Sequence, residues 1–276
     1  MAKGLRRRSL FQLAGAAALL RRSLVAAPQV QPPTRPGQRP GVTDQFPANE
    51  RHSTVAIAHG DDRRKNVYNA LKAIDKDLRE KMKTKRYVVI KPNFVNTQNQ
   101  LAASNAGAMR GILDYLSESF KGPVVIAESS AGNTQQGFEN FKYTALPAEY
   151  KKQQVQLIDL NAEAKFERIT VLDADLHIVP LRLAARLLDP EAFVISSGMF
   201  KTHNTAIATL SIKNMVLGAP LHYAPGETTR WNEKRKFHVG LRQTHYNMLL
   251  TAQRLAPSWG ASVIDGYEGM EGNGPN

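Results

Sequence analysis

Short β-branched and apolar runs alternate along this chain with amphipathic helical patterns, and that alternation leaves few folds open. The strand candidates lie at 54–58, 87–90, 124–127, 155–158, 193–196 and 262–264. The helical patterns lie at 63–82, 105–119, 181–188, 205–217 and 241–255. Short strands that are apolar along their whole length fit burial on both faces of a parallel sheet. The expected architecture is therefore α/β, a mainly parallel sheet flanked by helices with Rossmann-like layering. Residues 169–179 add a hairpin or edge pair, with Asp173-Ala174-Asp175 as its turn. With 276 residues, 42% of them hydrophobic, the chain can bury a core of that size.

The folded domain should begin near Ser53 and occupy 53–276. Residues 28–49 hold six of the fifteen prolines and little apolar content, which describes an extended linker over 28–52. Upstream, Arg7-Arg8-Ser9-Leu10-Phe11 precedes a weakly apolar run at 13–20, and Val25-Ala26-Ala27 offers small residues for cleavage. A twin arginine ahead of so short a segment resembles a twin-arginine export signal over 1–27. The run is too short to span a bilayer as a mature helix, so no stable transmembrane anchor is expected. The expected location is periplasmic or extracytoplasmic, reached through the twin-arginine translocation machinery.

No cysteine is present, which excludes disulfides, thiol catalysis and any Cys-ligated iron–sulfur cluster. The formal net charge is +13, of which +6 falls in residues 1–27. Basic runs at 63–65, 81–86 and 234–236 lack aromatic ladders and read as solvated surface, so no nucleic-acid partner is expected. Neither a phosphate-binding Walker loop nor a serine-nucleophile elbow occurs.

Ligands of open parallel sheets bind at the carboxyl ends of the strands. Four strand ends here carry polar residues: Lys91-Pro92-Asn93, Glu128-Ser129-Ser130, Lys201-Thr202-His203-Asn204 and Asp265. The pattern at 205–217 is apolar almost all round, with Thr205, Thr209 and Lys213 four apart and Asn214 beside them. A lysine on a buried helix must find an anion or lose its charge. Its partner is a carboxylate such as Glu128 or Asp265, a bound phosphate or carboxylate, or nothing, in which case it is a neutral catalytic amine. Asn204 or Thr205 is placed to cap that helix, whose free N–H groups with Lys201 ahead would favour an anion. His203, His222, His238 and His245 lack the spacing of a zinc-protease motif. The Gly-rich acidic loop from Asp265 is either a tight turn or a seat for a hard divalent cation on Asp265, Glu268 and Glu271.

The motifs Ile90-Lys91-Pro92-Asn93, Lys201-x-His203, Thr209-Leu210-Ser211-Ile212-Lys213-Asn214 with Gly218, and Asp265-Gly266 leading to Glu271-Gly272-Asn273-Gly274-Pro275 together resemble the prokaryotic domain of unknown function 362 family. The resemblance runs from about Ser53 to the C-terminus. It implies that the domain continues beyond Asn276. The Cys-rich ferredoxin-like segments of some members have no counterpart here, so the resemblance carries no electron-transfer role.

The resulting expectation is an exported enzyme acting on a small anionic substrate. Lys91, Asn93, Glu128, Lys201 and Asn214 would bind the ligand, His203, Lys213 and Asp265 would act on it, and Asp265 with Glu271 would hold any divalent cation. The alternative is a non-catalytic periplasmic binding or cofactor-carrier protein using the same basic rim.

Overall fold

A computed structural model describes residues 53–203 and 206–272. The export-signal and linker segments, Asn204, Thr205 and the Asn273-Gly274-Pro275 stretch lie outside the described residues. The elements in chain order are α1 (Arg63–Ala73), α2 (Asp75–Met82), β1 (Tyr87–Lys91), α3 (Ala106–Ser119), β2 (Val124–Glu128), α4 (Thr134–Asn140), α5 (Leu146–Glu149), β3 (Gln156–Asp159), α6 (Leu160–Glu163), β4 (Phe166–Leu172), β5 (Ile178–Ala184), β6 (Ala192–His203), β7 (Ile207–Thr209), α7 (Ser211–Gly218), α8 (Leu241–Leu255) and β8 (Trp259–Met270). Short 3-10 turns at Gln100–Ala102 and Glu233–Phe237 bear on the site.

The main sheet runs β3-β2-β1-β6-β7, with β8 also paired to β6. Every pairing in it is parallel except the β6–β7 turn-back. Strand alternation sorts the apolar side chains onto two faces. Val88, Ile90, Val124, Ile126, Phe193 and Ile195 join the core under α1, α2 and α3. Val89, Val125, Ala127, Ala192 and Val194 join the opposite core, with α7, α8 and the β4–β5 hairpin. Both faces are covered, which is why β1 and β2 read as continuous apolar runs.

From β1 the chain steps outward to β2 and β3, then returns to place β6 on the other side of β1. That reversal makes a topological switch point between β1 and β6, where Lys91 pairs in register with Ser196. Crevices at such points are where open α/β sheets bind ligands.

Several sequence expectations fail locally. Residues 54–58 form no strand, and the Val55 and Ile57 side chains stand exposed. The 63–82 helix is two helices, because Ile74 leaves helical geometry and Asp75 and Asp77 open a new first turn. Residues 181–188 are not an α-helix: 181–184 belong to β5 and Ala185–Leu187 make a single 3-10 turn. Leu181 and Leu183 are buried around a part-exposed Arg182, a two-residue period that finishes β5. The helix expected at 205–217 begins only at Ser211, because 207–209 turn back as β7 on Lys201, Thr202 and His203. Strands β6 and β8 each run twelve residues, so Lys201, His203 and Asp265 sit within strands rather than beyond their ends.

Candidate functional site

Strand β1 ends on Lys91, whose side chain is 1% exposed, and β2 ends on Glu128, 2% exposed. Their adjacency in the parallel sheet brings Lys91 Nζ to 2.8 Å from Glu128 Oε1. The ammonium also donates to the Pro92 carbonyl at 3.0 Å and to Asn214 Oδ1 at 3.3 Å. Glu128 accepts two backbone N–H groups besides, from Ser129 at 2.8 Å and Phe94 at 2.9 Å. This is a buried ion pair with its remaining lone pairs filled, the arrangement that interior charges require.

Asn214, on α7, ties that pair to β6. Its amide donates to the Lys91 carbonyl (3.2 Å), Ser196 Oγ (3.1 Å) and the Ser197 carbonyl (3.4 Å). Its carbonyl accepts from Asn93 Nδ2 at 3.0 Å. Gly218, one turn further along α7, lies against Lys91, and a Cβ there would overlap the ammonium end of that side chain. Gly218→Ala should therefore lower stability by about 1–3 kcal/mol despite the better helix propensity of alanine. Urea unfolding checks this; a rise in stability would show that Lys91 can move aside.

Lys213 is the unusual member. It is 6% exposed, and among the described residues it makes no hydrogen bond or ion pair. Burial lowers its pKa to about 8, and the positive charge of Lys91 pushes the same way against the pull of Glu128. Lys201, 2% exposed, donates to the Ala102 carbonyl at 2.6 Å. Burial, then repulsion from Lys213, brings it down to about 7. Burial lowers His203 to about 4, helped by Lys213, His238 and Lys201. Its Nδ1 accepts the Ala206 N–H at 3.1 Å, which leaves the proton of the neutral ring on Nε2. His238 is lowered too, by burial and by Lys213.

Lys234 was hidden in a run read as solvated surface. The 3-10 turn capped by Asn232 aims its ammonium inward, onto the Pro220 (2.6 Å), Gly218 (3.2 Å) and Leu217 (3.4 Å) carbonyls and Ser129 Oγ (3.2 Å). The residue as a whole is only part-buried, but its charged end is enclosed. Burial brings it to about 7, against the pull of Glu128. Asn232, directly after Thr229-Arg230-Trp231, was the one cue to an ordered turn there.

Asp265 does not join the lysines. It is buried beside Arg63 of α1, 3.1 Å from Nε, a charge contact without an aligned hydrogen bond. Arg63 reaches Glu268 at 2.9 Å and lies over the Tyr267 ring at 4.6 Å, so this end of β8 is latched to α1. Glu271 is exposed. Asp265 and Glu271 share no three-ligand cluster among the described residues. Asp173, Asp175 and His177 do, at the exposed β4–β5 turn, with ligand atoms within 4.8 Å of one another. Asp173 already accepts the backbone N–H groups of Asp175 and His177 there. Buried His222 is held by the Ser130 and Tyr223 carbonyls and by Asn161 rather than by other histidines.

The switch point thus gathers Lys91, Lys201, Lys213, Lys234, Asn93, Asn214 and His203 around one buried acid, Glu128. These features define an α/β protein with a cation-rich site at the reversal of its sheet. The family described as Domain of unknown function (DUF362) matches residues 88–276, and the chain belongs to that family. A structural-genomics crystal structure of a protein from Thermotoga maritima is similar at 8% identity and a TM-score of 0.47, over 75% of this chain and 52% of that one. The chain thus spans about half the length of that structure. Among curated proteins no significant match is found. No described helix is long and apolar enough to cross a membrane.

Proposed function

We propose that this protein binds a small anion at the β1–β6 switch point and exchanges a proton with it, as an enzyme on an anionic substrate. The observation that carries the reading is Lys213, a buried ammonium without a protein partner, beside lysines that outnumber the local acid. Interior charge in that excess is costly unless an anion completes it. Lys213, at about 8 when unliganded, can hold or release its proton near neutrality, the condition for general acid–base work. His203 is neutral at that pH, so it adds no further positive charge to the site. Lys91 and Glu128 hold Asn214 and α7 in place and need not touch the ligand. The twin-arginine pattern supports an extracytoplasmic setting for this activity.

Isothermal titration of the full chain with phosphate, sulfate, malonate and acetate tests the reading. At least one should bind, and Lys213→Met should weaken it by about tenfold or more, the worth of one charge-assisted contact. No binding by any of the four, or binding indifferent to Lys213→Met, would overturn it. A retained ligand without turnover would move the protein to the binding or carrier class.

A further inference from the structure

Helix α7 begins without a cap. Its N-cap position is Leu210, which offers no side-chain acceptor, and the helical ladder opens with Asn214 N donating to Leu210 O at 3.0 Å. The N–H groups of Ser211, Ile212 and Lys213 in the first turn therefore lack the capping partner that such groups usually find. The hydroxyls at this turn are also unused. Thr209 Oγ1 and Ser211 Oγ are buried without a hydrogen-bond partner, and Thr209 is fully enclosed. Buried hydroxyls left unpaired cost free energy, and two beside an uncapped helix start and an unpaired lysine need a common explanation.

We propose that the first turn of α7, with Thr209, Ser211 and Lys213, is a subsite for a phosphoryl group. The inference rests on the anion-site reading above and names its ligand class. The donor set decides between anions. Three backbone N–H groups, two hydroxyls and an ammonium exceed what the two oxygens of a carboxylate can accept. The three terminal oxygens of a phosphoryl group accommodate that number from several directions. A helix N-terminus with a lysine in its first turn also presents fixed positive potential to a dianion. Strand β6 approaches this turn closely, since a Cβ on Gly198 would stand 3.3 Å from the Leu210 carbonyl carbon, tighter than an ordinary contact. The donors are thus built on a rigid strand–helix corner.

The test titrates the full chain with inorganic phosphate, glycerol 3-phosphate and malonate at pH 7, malonate serving as a dicarboxylate of similar charge. A phosphate compound should bind about tenfold tighter than malonate or better, since several added hydrogen bonds distinguish them. The double variant Thr209→Val with Ser211→Ala removes only the orphan hydroxyls. It should weaken the phosphate compound by about tenfold, leave malonate within about twofold, and leave the thermal midpoint no lower, because unpaired groups are being deleted. The tighter of the two phosphate compounds identifies a free ion or an ester as the ligand. If malonate binds as well as phosphate and the double variant changes nothing while Lys213→Met weakens both, the phosphoryl subsite is wrong and the anion site stands. If none of the three binds, both fail.

Discussion

Replacing Glu128 by glutamine is expected to cost about 3–5 kcal/mol of folding stability, the range for removing one partner of a buried ion pair. Glu128 Oε1 accepts from Lys91 Nζ and Ser129 N, and Oε2 accepts from Phe94 N. All three contacts face it with donors. A glutamine has only one acceptor oxygen, so its amino group must oppose either the Lys91 ammonium or the Phe94 N–H. The substitution also strips the carboxylate whose field opposes the repulsion acting on Lys201 and Lys213, and the stronger of the two, with Asp159, that act on Lys234. Urea unfolding reads the cost as a lowered midpoint at unchanged slope. Adding Lys91→Met to Glu128→Gln should recover part of the loss, because the uncompensated charge is then gone. A cost below about 1 kcal/mol, well short of what an orphaned buried ammonium demands, would mean that Glu128 is not the counter-charge of the site.

That Lys91–Glu128 corner was the legible part of the molecule. Val88-Val89-Ile90 and Val124-Val125-Ile126-Ala127 are uninterrupted apolar strands, so the polar residues just after them had to fall at one rim. The parallel α/β sheet followed from the same runs, and helix 241–255 is α8 to the residue. Strand β6 was legible only over its first half. Beyond Ser196 it continues through Ser197 and Gly198, residues that do not look like strand interior. Asn214 donates to Ser196 Oγ at 3.1 Å and Ser104 Oγ to the Ser197 carbonyl at 2.7 Å, both from other parts of the chain, while Ser197 Oγ is buried without a partner among the described residues. No local pattern announces such partners. The same limit hid β7: Ile207 and Thr209 suit a strand and a buried helix equally, and only the pairing with Lys201 and His203 decides. Placing Thr209 and Lys213 on one helical stripe was therefore wrong in geometry. Both nevertheless belong to the same corner, because the strand hands directly into the first turn of α7. Lys234 escaped because a charge run is normally solvated, and only the carbonyls at the end of α7 turn one of its three members inward.

The stability of the unliganded protein should rise as pH increases from about 7 to 9.5, and Lys213→Met should flatten part of that rise. The sign follows from which state holds more protons. Burial lowers Lys213 to about 8 and Lys201 to about 7 in the folded chain, below the 10.5 of an unhindered lysine. Across that interval the unfolded chain binds more protons, so each lysine adds at most about 1.4 kcal/mol per pH unit. Below pH 7 both ammoniums are charged in either state and the folded protein bears the whole penalty. Above pH 10 the buried phenol of Tyr143, pushed upward by its enclosure, acts in the opposite sense, which sets the upper limit of the window. The groups that act electrostatically with Lys213 are Lys91, Glu128, Lys201, His203, His238 and Lys234. The difference between wild type and Lys213→Met isolates its share of their combined effect. At pH 7 the variant should be more stable by about 1–3 kcal/mol, since a buried charge gives way to an unbranched apolar chain. It should have lost anion binding in the same step, a trade of function for stability. Saturating phosphate should flatten the wild-type slope, because an anion that favours the ammonium raises its pKa toward that of the unfolded chain, so the two states then bind the Lys213 proton alike. Urea unfolding at intervals from pH 6 to 9.5, with and without phosphate, measures all of this. Parallel curves for wild type and Lys213→Met would mean that the charge is already compensated within the chain, and the site would then be a structural ion network.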